Sequence, residues 1–121
     1  MKIIINGQTI SKKNSKRIVP TQNGKSRVIS SAPYLQWAEA AKWQLAGYQP
    51  RPWRYPVRVR FTFYRQNAHR FDYNNLSQGP LDLLVEAGIL ADDDMTHVTP
   101  EFAGWQVDKI YPRVEIEILE G

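Results

Sequence analysis

A chain of 121 residues with 42% apolar content, four Trp, six Tyr and four Phe has material for one hydrophobic core but not two, so residues 1–121 are expected to form a single domain. It contains no Cys, which excludes a disulfide framework, a thiolate zinc site and a Cys nucleophile. No segment approaches the roughly 20 apolar residues of a membrane span, and the first residues lack a signal-peptide core, so a soluble cytoplasmic protein is expected.

The net charge of +4 hides a strong asymmetry. Residues 1–71 hold 14 Lys and Arg against the single acid Glu39, a net of +13, while residues 72–121 hold Lys109 and Arg113 against 11 acids, a net of −9. Two readings follow. The halves pair with one another, or a polyanion-binding surface stands beside an acidic pocket that would repel the polyanion without a bridging cation.

Lys2 to Ile5 reads as a short strand, Asn6-Gly7 as a two-residue turn, and Gln8 to Ile10 as the returning partner strand. The following segment, Ser11 to Arg27, carries six basic residues, no acid and many turn formers. It has little to bury, so it is either a solvated loop or a flexible arm or hairpin laid on phosphates. A helix is expected from about Pro33 to Ala46, capped by Ser30 or Ser31 and stopped near Gly47. Tyr34, Ala38, Ala41 and Leu45, with Trp37 beside them, form its core face. Gln49 to Pro56 contains three prolines and is a connecting loop whose Trp53 and Tyr55 either pin it to the core or stack on bases.

Val57 to Tyr64 alternates cleanly, with Val57, Val59, Phe61 and Phe63 inward and Arg58, Arg60, Thr62 and Tyr64 outward. The closing strand repeats the pattern, with Val114, Ile116 and Ile118 inward and Arg113, Glu115 and Glu117 outward, so Arg and Glu are placed to pair across the sheet. Phe102 to Lys109 is expected to be another strand, broken at Gly104.

Asp72 to Gly88 reads as a second helix with Asp72 as N-cap. At 100° per residue, Leu76, Pro80, Leu83, Leu84 and Ala87 share the apolar face, and Asp72, Asn75, Gly79, Asp82 and Glu86 form a polar stripe beside it. Pro80 implies either a kink, the reading preferred here, or a helix that begins there. Beyond Gly88 come three consecutive carboxylates, Asp92, Asp93 and Asp94, which repel one another unless solvated or bridged by a cation. Magnesium takes oxygen ligands and needs only one or two carboxylates, and Asp72 with Asp93 would be such a pair; acidic surface turns without metal are the alternative. An EF-hand is excluded, because a loop starting at Asp92 would have Ala103 at the bidentate Glu position. His69 and His97 are isolated, with His97 near the acids, and no Ser/His/Asp arrangement or glycine-rich phosphate loop is present.

Arg70-Phe71-Asp72-Tyr73-Asn74-Asn75-Leu76, then Leu81-Asp82-Leu83-Leu84, Glu86-Ala87-Gly88-Ile89-Leu90 and Asp92-Asp93, together resemble the RusA family of Holliday-junction resolvases. The resemblance covers nearly the whole chain. It implies an α+β fold, a small mixed sheet packed with two helices, acting as a homodimer. The implied activity is that of a small, often phage-borne, Mg²⁺-dependent endonuclease, with Mn²⁺ as a substitute ion, that nicks paired strands of a four-way DNA junction.

Carried over by position, Asp72 matches the first catalytic aspartate, Asn75 the motif Asn, Asp82 the mid-helix Asp, and Asp92 and Asp93 the terminal catalytic pair, with Asp93 the essential metal ligand. The chain departs from the pattern at Asn74, where the family has a second acid, and at Gln78, where it has a lysine. Asn74 still offers a carboxamide oxygen, but metal affinity falls unless Asp82 or Asp94 compensates. Lys12, Lys13, Lys16, Arg17, Lys25, Arg27 and Arg70 are the expected phosphate contacts. The rival expectations are a relative that binds branched DNA without cutting it and a small interaction domain whose charge halves neutralise each other.

Overall fold

The computed structural model describes residues 1–12, 16–20, 26–30 and 32–120, with the two short segments given as backbone. The elements in chain order are β1 (Lys2–Asn6), β2 (Lys16–Pro20), β3 (Ser26–Ser30), α1 (Ala32–Leu45), β4 (Val57–Arg65), α2 (Tyr73–Glu86), β5 (Val98–Val107) and β6 (Arg113–Leu119). Four strands form one mixed sheet in the order β1-β6-β4-β5, and β2 and β3 form a separate antiparallel ribbon. The arrangement is α+β.

Period-two alternation builds the sheet. Phe61 lies opposite Ile116, Phe63 opposite Val114, and Ile3 and Ile5 complete the same face from β1. All of these side chains are fully buried, and both helices contribute to the same core. The α1 face read from the sequence is the buried one, made of Tyr34, Trp37, Ala38, Ala41 and Leu45. Of its two candidate caps, Ser31 and the Ser30 side chain lie outside the described residues.

Several expectations are corrected. Gln8–Ile10 is not the partner of β1: β1 pairs with β6 from the far end of the chain, and Gly7, at φ 105°, donates its N–H to Pro112 O at 2.9 Å. A tight hairpin would have paired β1 with a strand too short to cover Ile3 and Ile5, whereas β6 offers Val114 and Ile116 at matching register. Residues 8–10 are instead tied to the end of β4, where Arg65 Nη1 donates to Thr9 O at 2.6 Å and Gln66 N to Gln8 Oε1 at 3.0 Å.

The strand expected from Phe102 starts earlier, at Val98, and pairs parallel with β4. Gly104, at φ 128°, does not break it; the register steps by one residue there, so Ala103 is the extra residue of a bulge. β5 is an edge strand, which is why it tolerates Pro100.

The loop at 49–56 is pinned rather than free: Trp53 is buried and its indole N–H donates to Ile89 O at 2.9 Å. The charge asymmetry is partly internal pairing. Arg60 stands opposite Glu117 and reaches Glu101 at 3.3 Å, and Lys2 and Arg113 hold the two oxygens of Glu115 at 2.9 and 2.7 Å. Half-exposed pairs of this kind contribute little stability singly.

α2 runs unbroken through Pro80, which excludes a helix beginning there. The hydrogen bond lost at Pro80 is offset by burial of its ring with Leu76, Leu83 and Leu84. Ala87 is exposed and forms the C-cap, not part of the apolar face, and Gly88 turns the chain out at φ 78°. Gly79 does not belong to a solvent stripe either. It is buried where α2 meets α1, and a Cβ there would sit 3.1 Å from Tyr34 Cε2 and 3.2 Å from Trp37 Cζ3.

Two consequences are measurable. Gly79→Leu drives side-chain carbons into the Tyr34 and Trp37 rings, so denaturant unfolding should show a loss of about 1–3 kcal/mol, whereas a change at exposed Gln78 should cost far less. Glu115 has its pKa lowered chiefly by its hydrogen bond to Lys2 and further by Arg113. Its contribution to stability is complete above the unfolded carboxylate range and lost as pH falls through the lowered folded value. The melting temperature of the natural chain should therefore drop more between about pH 5 and pH 2 than that of Glu115→Gln.

Candidate active site

Two acidic positions are set by the ends of α2. At its N-terminus the Asp72 Oδ1 accepts from the backbone N–H of Asn74 at 2.8 Å and of Asn75 at 3.3 Å, the ordinary cap bonding that satisfies free first-turn donors. Oδ2 of Asp72 makes no bond among the described residues, and the side chain is exposed. Asn75 is half-buried, while Asn74 and Gln78 are exposed. At the other end, Gly88, Ile89 and Leu90 wrap the helix terminus, with the N–H groups of Ile89 and Leu90 both on Leu84 O at 3.0 and 3.2 Å. Tyr55 Oη then takes the N–H of Ala91 at 2.9 Å, fixing the start of the acidic turn.

Within that turn, Asp93 donates its N–H to Asp92 Oδ1 at 2.7 Å. The Asp93 carboxyl is raised above its ordinary range by partial burial and then by the negative charges of Asp82 and Asp92. Neither Asp92 nor Asp93 has an ion pair among the described residues. Asp82, projecting from α2, is joined to Lys12 Nζ at 2.7 Å. Asp82, Asp92 and Asp93 thus share one field of excess negative charge, the local feature a hard divalent cation would relieve. Asp72 lies ten residues before Asp82, about 15 Å along the helix axis.

Asp92, Asp94 and His97 form a second group, with possible ligand atoms within 4.8 Å of one another. It is already satisfied internally. Asp94 Oδ1 accepts from Thr96 N at 3.0 Å and Thr96 Oγ1 at 2.6 Å and meets His97 Nδ1 at 2.7 Å, which lowers the Asp94 pKa to about 2. This is a capped turn, and its imidazole nitrogen suits a softer cation than magnesium. Asp82 and Asp93 are not part of this group; Asp82 bears on Asp93 through its charge.

The expected phosphate contacts divide. Lys13 and Lys25 lie outside the described residues, as do the side chains of Lys16, Arg17 and Arg27, whose backbones run along the ribbon. Lys12 is paired with Asp82 in this structure, with its side chain 37% exposed. Arg70 is exposed, without an ion pair among the described residues.

Sequence reasoning missed the surroundings of Arg70. Ala68, His69, Arg70, Phe71, Tyr73 and Trp105 line a cleft of about 210 Å³ beside Asp72. Phe71 stands edge-on to Trp105 at 5.8 Å and to Tyr73 at 5.3 Å, Tyr73 stacks on Phe102 at 5.1 Å, and Trp105 is 44% exposed. An open aromatic wall with an Arg at its rim can stack an unpaired base and hold its phosphate. The bulge brings Trp105 opposite Phe63, on the sheet face that Phe71 also covers, and that register is defined only by the pairing with β4.

The chain matches the family model described as endodeoxyribonuclease RusA over residues 8–119 and belongs to that family. No curated protein matches it. If the aromatic cleft receives a base, Trp105→Ala should weaken branched-DNA binding by about 1–3 kcal/mol in a fluorescence-anisotropy titration and leave the thermal melt nearly unchanged.

Proposed function

We propose that the protein is a Mg²⁺-dependent endonuclease that resolves four-way DNA junctions by paired nicking in recombination and repair, acting as a homodimer, with Mn²⁺ able to replace Mg²⁺. The observation that carries this reading is membership of the RusA family over residues 8–119, which includes the acids at 72, 82, 92 and 93. Its support in the structure is the pair of exposed carboxylates Asp92 and Asp93, which have no ion pair among the described residues and whose charge a cation would neutralise.

Asp93 and Asp92 would hold the cation from the turn, and the charge of Asp82 on α2 would add to its attraction. A bound divalent ion supplies positive charge beside the scissile phosphate and makes an attacking water more acidic. The chain's own residues do the rest. Arg70 and the ribbon cations Lys16, Arg17 and Arg27 hold backbone phosphates, and the aromatic cleft seats a base next to Asp72. Asp72, with one oxygen on the helix cap, has the other for the cation or for a water.

The length of α2 makes the role of Asp72 specific. Asp93 interacts electrostatically with Asp82, and Asp72 is about 15 Å from Asp82 along the axis, whereas two oxygens on one Mg²⁺ lie within about 4 Å of each other. We therefore assign Asp72 and Asp93 to one cation only across a two-fold dimer, Asp72 from one protomer and Asp93 from its partner. Asn74 and Gln78, both exposed and uncharged, favour the second reading, a relative that binds junctions without cutting them.

A labelled four-way junction incubated with and without Mg²⁺ or Mn²⁺ separates these. Symmetric nicks that need the ion and fall at least a hundredfold with Asp93→Asn are expected; salt-sensitive binding with no nicks under any ion would establish the second reading. The shared-site assignment has its own test. Asp72→Asn and Asp93→Asn homodimers should each be inactive, while their purified heterodimer, which keeps one intact composite site, should nick one strand. An inactive heterodimer beside an active natural enzyme would place both residues' roles within one chain.

A further inference from the structure

Alternation along β4 puts Val57, Val59, Phe61, Phe63 and then Arg65 on the inward side of the sheet, so a row of buried apolar side chains ends in a cation. Arg65 is half-buried and has no ion pair among the described residues. Its Nη1 donates to Thr9 O at 2.6 Å, and its Nε is buried without a partner among the described residues. The guanidinium carbon lies 5.2 Å from the centre of the Phe71 ring. Asp108 N donates to Arg65 O at 2.7 Å, which fixes the backbone at the same point. A buried guanidinium N–H without an acceptor costs stability, and an apolar side chain at this inward position would avoid that cost. Packing alone does not account for a cation here.

The ring that Arg65 faces belongs to the wall of the aromatic cleft. Phe71 ends the loop that leads from β4 to α2 and carries Arg70 at the cleft rim. The start of that loop is tied by Gln66 N to Gln8 Oε1 at 3.0 Å, and its end is held by ring contacts, with Phe71 at 88° to Trp105 and at 65° to Phe63. We propose that Arg65 is a positioning residue of the cleft: its guanidinium, fastened to Thr9 O, holds the Phe71 ring edge-on to Trp105 and so keeps the wall on which an unpaired base stacks, without itself contacting a phosphate. This rests on the reading of the cleft as the seat of a base. A phosphate-binding arginine acts through its charge and is felt in the salt dependence of binding. A positioning arginine sets the shape of the wall, and its loss is felt even when no DNA is present.

The test uses the whole chain and its Arg65→Met and Arg65→Lys variants, with a thermal melt as control for folding. Arg65→Gln, which keeps a donor for Thr9 O but no charge, takes the place of Arg65→Met if the latter does not fold. Binding of a fluorescein-labelled four-way junction is followed by anisotropy over a series of salt concentrations, with chelator present so that no strand is cut. Arg65→Met should bind roughly three- to thirtyfold more weakly, the range of a partly desolvated cation–aromatic contact. The slope of log K against log salt should not change, whereas loss of a phosphate contact would lower it by about 0.7–0.9. Arg65→Lys, which keeps a cation, should recover most of the affinity, and in a Phe71→Leu background Arg65→Met should have no further effect. Without DNA, the Trp105 indole N–H resonance, assigned by Trp105→Phe, should shift in Arg65→Met and return in Arg65→Lys.

Unchanged affinity in Arg65→Met would overturn the proposal, and a loss with a shallower salt slope that adds to that of Phe71→Leu would make Arg65 a phosphate contact instead. If the natural protein binds no junction, or Trp105→Ala binds as tightly as the natural protein, the reading of the cleft as a base seat fails. The indole resonance then decides alone: a shift that Arg65→Lys reverses keeps Arg65 as the holder of Phe71, and an unmoved resonance removes that role.

Discussion

The seating of α2 on the sheet is the constraint on which the other features depend. β4 and β5 are parallel, so the chain must travel back along the sheet between them, and α2 makes that return. Leu76, Leu83 and Leu84 press it onto the inward faces of the strands, and the missing side chain of Gly79 lets the Tyr34 and Trp37 rings of α1 come close. That helix carries Asp82 at its middle, is capped by Asp72 at one end, and is followed at the other by the acidic turn. The positions of the acids are thus by-products of a packing solution. Any shift of α2 along the sheet would move all of them.

Electrostatics divides the surface in a way the net charge conceals. On the outer sheet face, Lys2, Arg58, Arg60 and Arg113 are matched by Glu101, Glu115 and Glu117 across neighbouring strands. This pairing takes up three of the 14 basic residues of the first half, Lys2, Arg58 and Arg60. Among the described residues, Asp92 and Asp93 in the acidic turn and the exposed Arg70 beside its aromatic cleft carry no ion pair. In the proposed function the first attracts a cation and the second a phosphate and a base. The pairing reading of the charge split holds on the outer sheet face, and the polyanion reading belongs to the proposed function.

The departures at Asn74 and Gln78 alter how the site must be completed. Without a carboxylate at 74, the start of α2 offers a single acid, and that acid is already bonded to the backbone through one oxygen. The remaining donors cluster ten residues further along the helix and in the turn beyond it. A helix is rigid, so the two groups cannot close on each other by bending. In the proposed dimer, completion by a second protomer would not require the helix to bend.

Much of the fold was legible in the residues because it is local. Alternation in Val57 to Phe63 and in Val114 to Ile118 specifies strands with one buried face, a period of 3.6 marks the buried side of α1, and Asp72 is a cap by its chemistry alone. The acids themselves, and the family they resemble, were equally visible. What the chain could not show was which distant segments meet. The Asn6-Gly7 signal favours a hairpin, yet β1 pairs with β6, since hydrophobic register over five residues outweighs a turn preference of two. The bulge at Ala103 and Gly104 exists only against β4, and Lys12 reaches Asp82 only because both roots of the ribbon converge on α2. Local patterns determine which faces are buried; the choice of partner for each face is a competition over the whole chain, and that competition is settled by packing in three dimensions.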